Sequence, residues 1–160
     1  MSARRIISLE VNGRVHEAVF PAHRTLLEAL RELGRFEVKS GCEKGDCGAC
    51  AVLVDGIAVD SCLILAWTAE GRSITTLAGL GGADKPHPLQ EAFAKHGAVQ
   101  CGYCTPGIII ASESMLRTTD DPAEDDIRMA LSGNLCRCTG YTKIIEAVME
   151  VASMRRRAPR

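Results

Sequence analysis

The sequence predicts an α+β protein made of two units. A strand-rich unit with one packed helix should span residues 1–78, and a compact four-helix bundle should span 88–160, joined by a linker at 79–87. Three observations predict this. Apolar and polar residues alternate in the first half and are punctuated by hairpin dipeptides. The run Gly79-Leu80-Gly81-Gly82-Ala83-Asp84-Lys85-Pro86 has linker composition. Beyond it, apolar residues recur at helical spacing between start and stop signals.

The elements follow in order. Ile7, Leu9 and Val11 alternate with Ser8 and Glu10, Asn12-Gly13 supplies a hairpin turn, and Val15 to Phe20 forms the return strand. Thr25 opens a helix with Glu28 completing a capping box; Leu26, Leu30 and Leu33 give it an apolar face, and Gly34 stops it. Ala51 to Val54 and Ile57 to Val59 flank Asp55-Gly56 as a second hairpin, and Arg72 to Thr75 adds a strand. In the second half Leu89, Ala92 and Phe93 share a helix face that ends at Gly97. Thr105-Pro106 reads as a cap with proline at the first helical position, ahead of the apolar run to Leu116. Asp121-Pro122 repeats the device before Ile127, Ala130 and Leu131, and the last helix runs from about Thr142 to Met154. Arg155 to Arg157 reads as a frayed, solvated tail.

Composition bounds the function. Of 160 residues 46% are hydrophobic and 24% charged, with a net charge of −1, which disfavours a nucleic-acid binder. No apolar run approaches the length a membrane span needs, so no direct membrane insertion is expected. The apolar stretch after Arg4 and Arg5 is broken by Glu10, Asn12 and Arg14, too soon for a secretory signal. The expectation is a cytoplasmic chain, where its eight cysteines bind metal or do redox chemistry rather than form bridges. The four histidines are scattered without ligand spacing, which favours surface or capping roles. The acids from Asp120 to Asp126 suit a helix first turn better than a calcium loop.

The cysteines divide four and four. Cys42, Cys47, Cys50 and Cys62 have the C-x4-C-x2-C spacing of a plant-type [2Fe–2S] site, with a short distance to the fourth thiol. Glycines in Gly41-Cys42-Glu43-Lys44-Gly45-Asp46-Cys47-Gly48-Ala49-Cys50 let the loop curl and bring backbone N–H groups near the sulfurs. A phosphate-binding loop would need Gly-Lys-Ser/Thr, which is missing. Structural zinc prefers two short knuckles, and this set does not split into two, because Cys62 stands alone. Cys101, Cys104, Cys136 and Cys138 form a C-x2-C and a C-x-C pair. Two residues separated by one lie about 200° apart on a helix, so the second pair must sit in irregular backbone. By spacing alone this second set suits an iron–sulfur cluster, zinc or a redox disulfide.

Three runs carry a resemblance: Gly41 to Cys50, Gln100-Cys101-Gly102-Tyr103-Cys104-Thr105-Pro106-Gly107, and Asn134-Leu135-Cys136-Arg137-Cys138-Thr139-Gly140-Tyr141. Together they resemble the small iron–sulfur subunit of molybdenum hydroxylases. This is the xanthine oxidase/aldehyde oxidase group, with its bacterial carbon monoxide, aldehyde, N-heterocycle and aromatic acyl-CoA enzymes. The resemblance implies a β-grasp plant-type ferredoxin domain followed by a four-helix-bundle domain, each with one [2Fe–2S] cluster. It implies that Cys42, Cys47, Cys50 and Cys62 hold the first cluster and Cys101, Cys104, Cys136 and Cys138 the second.

Further implications concern the enzyme around the chain. Gln100 and Cys138 should approach the pterin of a molybdopterin-type cofactor on a large partner subunit, and the first cluster should face FAD on a medium subunit or another acceptor. Electrons would pass one at a time from molybdenum to that acceptor, in a heterotrimer or a dimer of heterotrimers. The chain would be the electron-transfer part of an oxidoreductase with no catalytic residue of its own. Two other readings are a free-standing two-cluster ferredoxin and a zinc-stabilised interaction module. Ala51, where relatives often have Thr, and Glu37 and Glu43, where glycine is common, are departures from the pattern.

Overall fold

The computed structural model describes residues 4–119 and 121–157. Asp120, part of the acidic run, lies outside the described residues. β1 (Arg4–Val11) and β2 (Arg14–Pro21) form the first hairpin, α1 (Leu26–Glu32) follows, and β3 (Ala51–Val54) and β4 (Ile57–Asp60) form the second. Both turns carry a residue in the left-handed region, Asn12 at φ 54° and Asp55 at φ 50°, as the tight hairpin turn requires. After two short 3₁₀ turns, Ser61–Leu63 and Ala66–Ala69, β5 (Ser73–Thr75) runs parallel to β1 and antiparallel to β3. The sheet order is β2-β1-β5-β3-β4.

α1 has the expected capping box: Glu28 N donates to Thr25 Oγ1 at 3.2 Å, and Thr25 N donates to Glu28 Oε2 at 2.9 Å. Its buried Leu26, Leu27, Ala29 and Leu30 pack with Ile7, Leu9 and Val11, every second residue of β1, as strand alternation dictates. β3 breaks that alternation in burial because both its faces are covered. Val52 and Val54 join the core under α1, while Ala51 and Leu53 meet Ile110 of the helical half.

The helical half holds α2 (Leu77–Leu80), α3 (Pro88–Lys95), α4 (Thr105–Thr118), α5 (Glu124–Ala130) and α6 (Thr142–Arg157) around a core that includes Leu89, Phe93, Ile108, Ile127, Ile144, Val148 and Val151. Four details differ from expectation, each for a physical reason. The glycine-rich stretch begins inside α2, whose Leu77 and Leu80 pack on the second core. α4 starts one residue early: Ile108 N donates to Cys104 O at 3.0 Å, so Cys104 is the cap and Pro106 the second helical residue. Asp121 does not cap α5. It accepts from Arg156 Nη1 at 2.6 Å, and the Asp126 carboxylate instead reaches back to Ala123 N at 2.8 Å. The Arg155–Arg157 tail is the last turn of α6, because Arg155 ion-pairs with Glu113 and donates to Leu116 O at 3.3 Å.

Glu113 is buried in α4 and collects Arg117 Nε at 2.9 Å, Arg155 and, at 3.5 Å, His87 Nε2. His87 caps α3, accepting from Leu89 N on Nδ1 at 3.3 Å, so the neutral ring keeps its proton on Nε2 toward Glu113. Burial pushes the His87 pKa below its ordinary value; Glu113 opposes the shift, and Arg155 and Arg117 add to it. An unfolded histidine takes up a proton near pH 6.5 while the folded one resists, so stability should fall as pH drops below about 6.5. His87→Asn, which keeps the cap, should lose less stability between pH 7.5 and 5.5 than the unmodified chain. Equal slopes of unfolding midpoint against pH would contradict this.

Candidate functional site

The sheet brings two thiols of the first set together. Cys50 lies one residue before β3, and Cys62 lies in the 3₁₀ turn after β4. The antiparallel pair returns the chain so that Ser61 Oγ donates to Cys50 O at 2.7 Å and holds Cys62 beside Cys50. Both are buried; Cys42 and Cys47 are half-buried on the loop before them. Backbone N–H groups of Lys44 and Asp46 lie 3.4 and 3.3 Å from Cys42 Sγ. The Lys44 donor is the main reason the Cys42 thiol is brought down to about 7. Cys50 is pushed the other way, to about 12, by burial. Glu43 holds φ 56° to make the curl, a conformation costly for a non-glycine side chain, and its carboxylate accepts from Ser40 Oγ at 2.6 Å.

The second set forms around the start of α4 and the irregular segment before α6. Cys101, Cys104, Cys136 and Cys138 line one cavity of about 170 Å³ with Tyr103, Leu135 and Arg137. Cys101 and Cys138 are exposed, with their sulfurs 3.6 Å apart, and Gln100, next in sequence to Cys101, is exposed as well. Cys104 is pushed up to about 12 by burial and then by neighbouring Cys136. Burial also opposes ionisation of Cys136, but the Thr139 hydroxyl and backbone outweigh it and lower its pKa.

The C-x-C segment is irregular, as the spacing demanded, and Tyr141 shapes it. Its hydroxyl accepts from Cys136 N at 2.7 Å and donates to Asn134 O at 2.9 Å, with its own backbone at φ 68°. Tyr141→Phe leaves both backbone groups without this partner, at a cost of about 1–3 kcal/mol. The expected result is a lower unfolding midpoint with faster amide exchange at Cys136, and unchanged exchange there would contradict the tether.

Among the described residues, no three ligand side chains close on a single point. The thiols neighbour one another in twos: Cys42 with Cys47, Cys50 with Cys62, Cys101 with Cys138, and Cys104 with Cys136. Two thiolates on each iron is what a binuclear cluster takes, and N–H donors on sulfur are what stabilise its charge. The donor sets therefore fit two [2Fe–2S] clusters.

The two sets abut. Leu135 N donates to Cys47 O at 3.0 Å, and Asn134 Nδ2 donates to Gly48 O at 3.2 Å. The Tyr103 hydroxyl donates to Ser40 O. Gly48 stands at φ 65° with Asn134 Nδ2 only 2.3 Å from where a Cβ would be, and at Gly107 a Cβ would meet Gly48 O at 2.1 Å. The sequence motifs contained Asn134, Tyr103 and Tyr141, but only as letters near cysteines. Their service as bridges and tethers depends on contacts across the fold, so no spacing rule exposed it.

Residues 9–75 match the model of a 2Fe-2S iron-sulfur cluster binding domain, and residues 76–149 match that of a [2Fe-2S] binding domain. The nicotinate dehydrogenase small FeS subunit of Eubacterium barkeri is 47% identical over 143 residues, 89% of this chain and 91% of that protein. The xanthine dehydrogenase iron-sulfur-binding subunit of Escherichia coli O157:H7 is 49% identical over 146 residues, covering 90% and 92%. Among solved structures, quinoline 2-oxidoreductase from Pseudomonas putida 86 superposes with a TM-score of 0.91 at 43% identity, over 97% of this chain and 98% of that chain. The aldehyde oxidoreductase from Desulfovibrio desulfuricans ATCC 27774 does so with 0.90 at 42% identity, over 94% of this chain and 17% of that larger one.

Proposed function

The chain belongs to the small iron–sulfur subunits of the molybdenum hydroxylases, and from that membership we propose that it carries electrons singly from a molybdenum cofactor, through two [2Fe–2S] clusters, to FAD or another acceptor. As in its relatives, it is one subunit of an oxidoreductase, and substrate chemistry occurs in a partner. The first unit is ferredoxin-like; we read it as a β-grasp over residues 1–78, with 79–87 as the join and 88–160 as a four-helix cluster domain. Cys42, Cys47, Cys50 and Cys62 would hold one cluster, and Cys101, Cys104, Cys136 and Cys138 the other. When bound, each cluster supplies a one-electron carrier.

The contribution of this chain's residues is placement and charge. Lys44 and Asp46 N–H groups face Cys42, and Thr139 faces Cys136, so negative charge on those sulfurs is met by donors. The observation that carries the reading is the meeting of two four-thiol sets through one backbone hydrogen bond, Leu135 N to Cys47 O, with Leu135 adjacent to Cys136. That contact gives a short bonded route between the sets. The exposed Gln100, Cys101 and Cys138 would face the pterin in the large subunit, and the Cys42 loop would face a medium FAD subunit. No helix of the structure is long and apolar enough to cross a membrane among the described residues. We place the complex in the cytoplasm, as a heterotrimer or a dimer of heterotrimers.

Affinity purification of the full chain from its native cells tests this. The expected result is a stoichiometric large chain with molybdenum, and about four iron and four acid-labile sulfide per small chain. A chain that purifies alone with full iron would be a free shuttle. A colourless zinc protein would overturn both cluster assignments.

A further inference from the structure

Asp60 carries a charge that none of the roles above uses. The register of β3 and β4 sets it opposite Ala51, so it lies beside the residue that follows Cys50 and two positions before Cys62. Its Oδ1 lies 3.6 Å from Cys50 Sγ. Although it precedes the Ser61–Leu63 turn, its side chain makes no capping hydrogen bond there. It lines a crevice of about 180 Å³ whose other walls come from both units, among them Gly48, Ala58, Ala111 and Asn134. Asp55, Glu28, Glu113 and Glu150 all meet a cationic side chain in this fold. Among the described residues no ion pair reaches Asp60.

We propose that Asp60 is an electrostatic tuning residue that holds the reduction potential of the first cluster below the value the same fold would give with a neutral side chain. The inference rests on the reading of Cys50 and Cys62 as cluster ligands. Reduction adds one electron, and so one negative charge, to the group those thiolates hold. A carboxylate within van der Waals reach of a ligand sulfur repels that added charge, with no ion pair among the described residues to offset it. The β3–β4 pairing fixes the backbone at Asp60, so the repulsion cannot be relieved by moving the strand. The second thiol set lines a different cavity, of which Asp60 is not a part, and should feel much less of it.

The consequence is directional. A lower potential at the first cluster makes arrival of an electron from the second less favourable and departure to the acceptor more favourable. Asp60 thereby suits the subunit to an acceptor that itself has a low potential.

The experiment is a redox titration of the whole complex, following the EPR signal of each reduced cluster, for the unmodified chain, Asp60→Asn and Asp60→Ser. Asparagine keeps the shape and removes the charge; serine removes both and guards against a fault particular to the amide. In both variants the reduced-to-oxidised ratio of one cluster, at fixed ambient potential, should rise about tenfold, about 59 mV for a one-electron couple. The ratio for the other should change by less than about twofold, given the longer separation. An unmoved ratio in a variant with full iron and sulfide overturns the role of Asp60 alone. Equal movement of both signals overturns it too, because a general change in packing or solvation would then be the cause. An unmodified chain without iron overturns the ligand reading, and this inference falls with it.

Discussion

Cys47→Ser is expected to remove one of the two reduced-cluster EPR signals and about half of the iron, while the other signal survives. The reasoning is local. On the proposed ligand sets Cys47 goes with Cys42, Cys50 and Cys62, of which the first core and the β3–β4 hairpin hold Cys50 and Cys62, whereas Cys101, Cys104, Cys136 and Cys138 line a separate cavity. Serine is a poor thiolate mimic, because its hydroxyl is a harder and far less acidic ligand. Cys136→Ser should do the reverse. The surviving signal should not be wholly untouched, since Leu135 N donates to Cys47 O and a disordered Cys47 loop loosens that bond. A modest change in its line shape is the expected trace. Equal loss of both signals from a folded chain would contradict two separate sites.

Gly107→Ala is expected to lower stability by about 3 kcal/mol and the unfolding midpoint by about 6–12 °C. In an ordinary helix interior the same change would help, by about 0.5–1 kcal/mol. Here geometry decides the sign. The new methyl would lie 2.1 Å from Gly48 O and 3.2 Å from Ala49 Cα, both backbone atoms of the first cysteine loop that cannot rotate away. Either α4 backs off the loop or the loop is displaced, and in both cases the bonds from Asn134 and Leu135 lengthen. Gly133→Ala is the control, because a Cβ there meets nothing within 4 Å. Calorimetry should show a large fall for the first and little change for the second. Similar effects of both would mean that the close approach of α4 is not what holds the units together.

Much of the architecture is legible in the chain itself. Asn12-Gly13, Asp55-Gly56 and the Thr25/Glu28 box are signals complete within a few residues, and each forms the element it announces. Cysteine spacing divides the eight thiols four and four; the fold sets Cys101, Cys104, Cys136 and Cys138 around one cavity and Cys50 beside Cys62, because the number of residues between thiols limits which loops can close. Local signals failed where a distant partner competed. Asp121 is a good cap in isolation, but Arg156 claims its carboxylate; Arg155 looks like tail until buried Glu113 takes it. The continuous burial of β3 likewise depends on Ile110, more than fifty residues along the chain.

Ile110 against Ala51 and Leu53, with Gly107 against Gly48, makes the joint between the halves a seam of packed atoms, although the segment at 82–86 that joins them covalently is exposed. Complete burial of one isoleucine alone contributes about 1.5–3 kcal/mol. A tethered pair of modules would have to search for each other before every exchange, and their throughput would depend on linker length and solvent viscosity. A seam of this kind removes the search. On the proposed electron path the interval between the two carriers is then set once, when the chain folds, and exchange between them would follow the static gap and the driving force rather than diffusion of one module toward the other.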